Sequence, residues 1–135
     1  MKFPEWLTVY GDIDWRGDCP TEDAEHVTLV NAIRRGYPKA AAVMVHVPNE
    51  GKRTAQRAAW EKARGMNTGA SDFIFPGKPA LVLEMKRRDH TKSRWQDGQL
   101  DYLQSAHDRG AMACVALGWE AGLMAVRAWL DQQSR

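Results

Sequence analysis

The stretch that decides the fold is Gly69-Ala70-Ser71-Asp72-Phe73, followed after a turn by Ala80-Leu81-Val82-Leu83-Glu84-Met85-Lys86. Short apolar runs at 73–75 and 80–86 predict two β-strands, and the Pro- and Gly-containing segment 76–79 predicts the turn of a hairpin. Side chains alternate between the two faces of a strand, so Glu84 and Lys86 point to the same side. A buried charge is unfavourable unless it is paired or binds a metal, so the charged end of this apolar strand is a candidate site.

Outward from this hairpin, the sequence predicts elements in the order α-β-α-β-β-α-β-α. Thr21 caps a first helix, the acidic residues after it suit a helix N-terminus, and Gly36 with Pro38 ends the helix. The other elements are a strand at 41–47, helices at 54–64 and 95–109, a strand at 112–117 and a closing helix at 119–132. The late strand–helix–strand unit predicts a parallel pair with a right-handed crossover. The predicted fold class is α/β, with one mixed β-sheet flanked by helices.

The length and composition indicate one ordinary globular domain. A chain of 135 residues suits a single hydrophobic core, and we expect residues 1–20 to form an irregular N-terminal arm. The content of 44% hydrophobic and 27% charged residues argues against a disordered chain. Two cysteines are too few for a disulfide framework, and no Cys/His spacing suits zinc. The opening residues 1–6 do not resemble the apolar core of a signal peptide, and no apolar run is long enough for a membrane span. With so few cysteines, we expect a protein of the reducing cytoplasm.

The charged residues are distributed unevenly along the chain. The net charge of +2 is too small to indicate nucleic acid by itself, but basic residues cluster at 52–64 and 86–94 and acidic ones at 5–25. A basic zone beside a candidate site suggests a polyanionic substrate, whereas the structural alternative is two solvated charged faces. The residues predicted to contact DNA are Lys52, Arg53, Arg87, Arg88, Lys92 and Arg94.

The hairpin carries a set of groups that suits metal-assisted hydrolysis of phosphodiesters. Asp72 and Glu84 lie on its two strands, so their carboxylates can meet at one end of the sheet. Hard oxygen ligands favour Mg²⁺ or Mn²⁺, and the backbone carbonyl of Met85 can add a third ligand. Lys86 can orient a water molecule and offset the charge that develops on the phosphate. The alternative is an edge salt bridge of Glu84 with a basic neighbour, because Glu-x-Lys is a common sequence.

These motifs, in this order, resemble the PD-(D/E)xK nuclease superfamily and are most similar to its VRR-NUC branch of small phage and bacterial nucleases. Asp72 and Glu84-Met85-Lys86 match the two halves of the family motif, with Ser71 where the family has proline. The loop 49–53 and the tail from Gln99 onward are also similar. The resemblance covers residues 20–131 and implies a restriction-endonuclease-like core in a protein of the bacterial or phage-infected host cytoplasm.

The resemblance also implies two site residues on helices. The family places a glutamate of the first helix near the metal, and both Glu22 and Glu25 fit, Glu22 better by its spacing from the apolar residues that follow. His26 then stands where a glutamine is usual. A glutamine of a later helix can position a phosphate or a water molecule. Gln99 and Gln96 compete for that role, and the distance to the following glycine favours Gln99.

The predicted function is a Mg²⁺- or Mn²⁺-dependent DNA endonuclease that is structure-selective, as Holliday-junction resolvases are. The resemblance, and the near two-fold symmetry of a four-way junction, imply a homodimer acting on branched or duplex DNA. One alternative is a nicking or flap nuclease of phage replication or recombination. Another is a DNA-binding module without catalytic activity.

The remaining histidines and tryptophans are assigned structural roles. His46 lies on a predicted apolar strand and is expected in the core, whereas His90 is expected at the surface. We expect Trp60 and Trp95 to pack in the core or against helices rather than to stack on bases.

Overall fold

The computed structural model describes residues 1–48 and 54–133. The strands are β1 (Thr8–Tyr10), β2 (Val45–His46), β3 (Phe73–Phe75), β4 (Leu81–Lys86) and β5 (Met112–Leu117). The helices are α1 (Glu22–Gly36), α2 (Pro38–Val43), α3 (Ala55–Ala63), α4 (Gln99–Asp108) and α5 (Trp119–Gln133), and a 3₁₀ turn covers His90–Lys92.

The strands form one mixed sheet in the order β1-β5-β4-β3-β2. β4 runs parallel to β5 and antiparallel to β3, and α4 connects β4 to β5, as the strand–helix–strand pattern predicts. The predicted fold class, a mixed sheet flanked by helices, is confirmed. In the part of the chain that the structure describes, none of the helices is both long and apolar enough to cross a membrane.

The alternation of side chains along β4 divides the core into two layers. Leu81, Leu83 and Met85 belong to the layer that α1 and α5 cover. Val82 belongs to the opposite layer, together with Leu103 of α4. Glu84 and Lys86 follow Val82 at steps of two residues, so they lie on the face of the sheet that α4 covers.

The first helix begins where the capping signal predicts. The Thr21 hydroxyl accepts a hydrogen bond from the backbone N–H of Ala24 at 3.2 Å, and α1 then runs from Glu22 to Gly36. By contrast, α4 begins at Gln99 rather than at residue 95. Gly98 has a φ of +83°, which is outside the helical region and separates the preceding segment from the helix.

Two further segments differ from the prediction. Residues 41–47 do not form one strand, because the sequence Pro38-Lys39-Ala40 starts α2, and only Val45–His46 pairs with the sheet. Proline at the first helical turn and the alanines after it explain this helix. The N-terminal arm is also more regular than expected, since Thr8–Tyr10 pairs in parallel with β5 and extends the sheet by one strand.

Candidate functional site

A cleft of about 690 Å³ opens at the C-terminal end of β4. It lies between the first turns of α1, the segment before β3, and the segment that leads into α4. Its lining residues are Glu22, Asp23, His26, Thr68, Asp72, Glu84, Met85, Lys86, Arg94, Trp95, Gln96, Asp97 and Gln99. The structure therefore brings the predicted residues Asp72, Glu84 and Lys86 into one cleft.

Asp72 is held by backbone contacts at the start of β3. Its Oδ2 accepts a hydrogen bond from the Met85 N–H at 2.8 Å. Its carbonyl oxygen accepts from the Val47 N–H and from the His46 Nδ1–H, both at 3.0 Å. The β3–β4 register pairs Phe73 with Leu83, so Asp72 lies one step further, beside Glu84.

Glu84 is a buried carboxylate with one oxygen unpaired. It is 1% exposed, and its Oε1 accepts a hydrogen bond from Gln99 Nε2 at 3.0 Å. No donor among the described residues reaches its Oε2. Burial raises the pKa of Glu84 well above its ordinary value, and the neighbouring charge of Asp72 raises this pKa further. The Lys86 ammonium lowers this pKa but does not outweigh burial and the Asp72 charge.

Gln99 links the carboxylate to the ammonium group. While its Nε2 donates to Glu84, its Oε1 accepts from Lys86 Nζ at 2.9 Å and from the Gln96 backbone N–H at 2.8 Å. Because an ammonium group only donates, this set of contacts fixes the orientation of the amide. Of the two candidate glutamines, Gln99 places its side chain between Glu84 and Lys86, whereas Gln96 contributes a backbone N–H and has an exposed side chain.

Lys86 is 1% exposed and has defined partners on several sides. Besides Gln99, its Nζ donates to the Arg94 carbonyl oxygen at 2.8 Å. The ring centroid of Trp95 lies 5.5 Å from Nζ, within cation–π range. Glu22 Oε1 lies 3.8 Å from Nζ. The ammonium group is thus fixed at the end of β4, beside the two carboxylates.

The structure separates the two candidate glutamates of α1. Glu22 lines the cleft with a side chain that is 43% exposed, and burial raises its pKa. Glu25 is 3% exposed and lies outside the cleft, where its Oε2 accepts a hydrogen bond from the Trp119 N–H at the start of α5. Gly118 has a φ of +91°, and a Cβ there would lie 3.1 Å from Glu25 Oε2. Glu25 therefore has the structural role of capping α5.

The donor set fits a hard divalent cation that keeps water ligands. In the described ranges, no three His, Cys, Asp or Glu side chains converge closely enough to hold a metal by themselves. Two carboxylates do converge, and the unpaired Oε2 of Glu84 beside Asp72 has the acceptor character that a cation needs. Mg²⁺ is commonly bound through one or two carboxylates with several waters retained, so the arrangement suits this ion.

Two of the residues predicted to contact DNA donate hydrogen bonds to the N-terminal segment. Arg87 donates from Nε to the Pro20 carbonyl at 2.9 Å and from Nη2 to the Cys19 carbonyl at 2.7 Å. Lys92 Nζ donates to the Gly17 carbonyl at 2.9 Å. Both side chains therefore have structural partners away from the cleft lining.

The other predicted contact residues are distributed differently. Arg88 lies over the Trp15 ring, with its guanidinium carbon 4.1 Å from the centroid. Arg94 is exposed and lines the cleft. Lys52 and Arg53 lie outside the described residues. Arg94 is therefore the member of the described set that borders the candidate site.

Five residues of the cleft lining were not among the predicted site residues, and Trp95 and His26 are the two aromatic ones. Trp95 was expected to be a packing residue, but it lines the cleft, and its Nε1–H donates to the Lys2 carbonyl at 2.9 Å. His26 also lines the cleft, with its ring stacked on Phe73 at a centroid distance of 4.4 Å. Burial lowers the pKa of His26, and the neighbouring His46 lowers this pKa further. The position of His26 where the family usually has glutamine was the available signal.

The expectations for two other histidines and one tryptophan were wrong. His46 is exposed, because β2 is a two-residue strand at the edge of the sheet. His90 is 7% exposed, and its Nε2–H donates to the Ile13 carbonyl at 2.9 Å. Trp60 is 60% exposed on α3, which buries none of its residues.

Two glycines bring the segment before β3 and the segment before α4 into direct backbone contact. Gly69 and Gly98 have φ values of +82° and +83°. A Cβ at Gly69 would collide with the backbone of Gly98, and a Cβ at Gly98 would lie 2.6 Å from the Thr68 carbonyl oxygen. This close approach sets the separation between the segment that carries Asp72 and the start of α4 at Gln99.

By sequence, the chain matches no established protein family and no curated protein. Among solved structures, it is similar to a protein described as a "VRR_NUC domain protein", with a TM-score of 0.69 and 22% identity. The similarity covers 87% of this chain and 92% of that one. The resemblance to the VRR-NUC branch is therefore confirmed at the level of the fold: this chain has the fold of a VRR_NUC domain protein.

Proposed function

We propose that the protein is a Mg²⁺- or Mn²⁺-dependent deoxyribonuclease that cleaves phosphodiester bonds in the cleft at the end of β4. The observation that carries this proposal is the buried Glu84 with an unpaired oxygen beside Asp72, linked through Gln99 to Lys86. The fold of a VRR_NUC domain protein supports the same class of activity.

In this proposal, Asp72, Glu84 and the Met85 carbonyl hold the divalent ion. When bound, the ion supplies Lewis-acid polarisation of the scissile phosphate and acidifies a water molecule. Hydrolysis adds the elements of water across one P–O bond and gives a phosphate monoester and an alcohol. The chain's own groups then have to orient the attacking water and offset the negative charge of the transition state.

Lys86 is the residue suited to these two tasks. Its ammonium group is held by the Arg94 carbonyl and the Gln99 side chain, so little reorganisation is needed when charge develops on the phosphate. Gln99 is a positioning residue, since it fixes Lys86 relative to Glu84. Glu22, at the open side of the cleft and 3.8 Å from Lys86, can accept a hydrogen bond from the attacking water.

The proposed substrate is branched DNA, bound by its shape rather than its sequence, and the proposed active species is a homodimer. Two copies related by a two-fold axis would present two clefts to a junction of similar symmetry. Arg94 borders the cleft and is the described residue best placed to contact the DNA backbone.

The test compares cleavage of four-way junction, flap, nicked and linear duplex DNA in Mg²⁺, Mn²⁺ and chelator. We expect metal-dependent cleavage that favours the junction and is lost in Asp72→Asn and Glu84→Ala. Asp101→Asn, which alters an exposed acid in the first turn of α4, is the matched control and should cleave normally.

Specific outcomes would contradict each part of the proposal. Absence of cleavage of every substrate in both metals would refute the nuclease, and DNA binding without cleavage would favour the non-catalytic module. A preference for flap or nicked DNA would refute junction selectivity, and a monomer on the junction by light scattering would refute the homodimer.

A further inference from the structure

His26 lies in the cleft on the same face of α1 as Glu22, one turn later. Its ring is stacked on Phe73 at an interplanar angle of 30° and meets the edge of the His46 ring at a centroid distance of 4.5 Å. Both His26 and Asp72 line the cleft, so the imidazole lies on the wall of the same cleft that holds the candidate metal ligand. The aromatic packing leaves the ring little rotational freedom, so its nitrogens have a defined position.

The His26 imidazole has no hydrogen-bond partner among the described residues. Among the described residues, the buried side-chain atoms without a hydrogen-bond partner are Ser71 Oγ and Glu84 Oε2. The ring nitrogens of His26 also lack a partner in that part of the chain but are not buried, so they are accessible to solvent. Since the residue is half-buried and lines the cleft, its free hydrogen-bonding capacity is available to a ligand there.

The other groups of the cleft show which ligand this capacity suits. Asp72 and Glu84 would face the metal, and the ammonium group of Lys86 already donates to two protein acceptors. A phosphate entering such an acidic cleft needs donors from the walls. A neutral imidazole carries one N–H donor, and His26 holds it on the α1 wall, opposite the α4 side.

We propose that His26 donates a hydrogen bond from its imidazole to a non-bridging phosphate oxygen of the DNA strand bound in the cleft. This inference rests on the proposed function and adds a substrate-contacting residue on α1. It assigns the aromatic cluster of His26, His46 and Phe73 the role of holding that donor in place.

Two substitutions separate the donor from the packing. His26→Phe keeps a ring that can stack on Phe73 but removes the N–H, whereas His26→Gln removes the ring and keeps a donor. A hydrogen bond to a charged group corresponds to roughly tenfold to hundredfold in affinity. We therefore expect His26→Phe to weaken DNA binding by that factor, with an unchanged melting temperature, and His26→Gln to weaken it much less.

DNA binding is measured by fluorescence anisotropy with a labelled junction in chelator, and KM and kcat are measured in Mg²⁺. His107→Phe is the matched control, because His107 is exposed on α4 and packs against Trp6, away from the cleft. The imidazole ¹⁵N resonances of both histidines, followed while DNA is added to the metal-free protein, report contact without catalysis. We expect the His26 signal to shift and the His107 signal to stay.

The outcomes distinguish this inference from the proposed function. If the wild type binds DNA without cleaving it, the nuclease proposal fails, while weaker binding by His26→Phe still supports the contact. If the wild type cleaves, and His26→Phe has unchanged affinity and KM, the contact is refuted. An equal loss in His26→Gln and His26→Phe would also overturn it, because glutamine retains a donor. A wild type that neither binds nor cleaves refutes both.

Discussion

Replacing Glu84 by glutamine is expected to stabilise the protein while it abolishes cleavage. Glu84 is 1% exposed, and its Oε2 has no donor in the described structure. A buried polar group without a partner costs about 1–3 kcal/mol. Glutamine keeps the acceptor for the Gln99 amide and puts an NH₂ donor beside Asp72. We therefore expect the free energy of unfolding of the metal-free protein to rise by that amount, or by about 3–5 °C in melting temperature for each kcal/mol.

The pH dependence of this gain tests its electrostatic origin. Burial and the Asp72 charge raise the pKa of Glu84 in the folded state above the ordinary value of 4.5. A group whose pKa is raised by folding contributes stability that is complete below its unfolded pKa and is lost as the pH rises through its folded pKa. Wild type and Glu84→Gln should therefore melt alike in acid, and the advantage of the variant should grow as the pH rises.

The assay is thermal unfolding followed by circular dichroism in chelator, from about pH 4.5 to about pH 8.5, together with cleavage of labelled DNA in Mg²⁺. Glu5→Gln is the control, because Glu5 is exposed. A lower melting temperature for Glu84→Gln at the basic end, or a gain of equal size at every pH, would refute the reasoning. Retained cleavage would remove Glu84 from the metal site.

Three further predictions concern other residues. Gln99→Leu should lower kcat at least about tenfold with little effect on KM, because it removes an acceptor of the Lys86 ammonium; an unchanged kcat would contradict this role. Arg94→Ala should weaken DNA binding and reduce the slope of log affinity against log salt by about one, and an equal slope would exclude a phosphate contact. Cys19 should be alkylated in the native protein and Cys114 only in denaturant, since burial raises the pKa of Cys114 to about 12; two adducts on the native protein, counted by intact mass, would refute this.

The hairpin and the late strand could be predicted because local patterns determine them. The apolar run at 112–117 is bounded by glycines, and β5 has these bounds. The alternation along β4 places Glu84 and Lys86 on one face, as the period of two requires. Such features depend on near neighbours in the sequence, so the central part of the candidate site could be predicted without coordinates.

Features that depend on distant partners could not be predicted in the same way. β1 forms because β5, more than a hundred residues later, offers a free edge. Trp95 borders the cleft because α4 begins only after Gly98. The segment before Gly98 is therefore not helical, and its Trp95 ring lies against the Lys86 ammonium group. The sequence alone could not separate Glu22 from Glu25. Glu25 caps the start of α5, and that terminus lies beside α1 only in the folded protein.

The contact between Gly69 and Gly98 has a consequence for how this cleft can change. Because the backbones of two glycines touch there, any side chain introduced at Gly69 or Gly98 would push the side-chain amide of Gln99 away from the Glu84 carboxylate. Laboratory evolution that selects for a wider cleft or a changed specificity should therefore yield substitutions of residues at the edge of the cleft, and almost none at the two glycines.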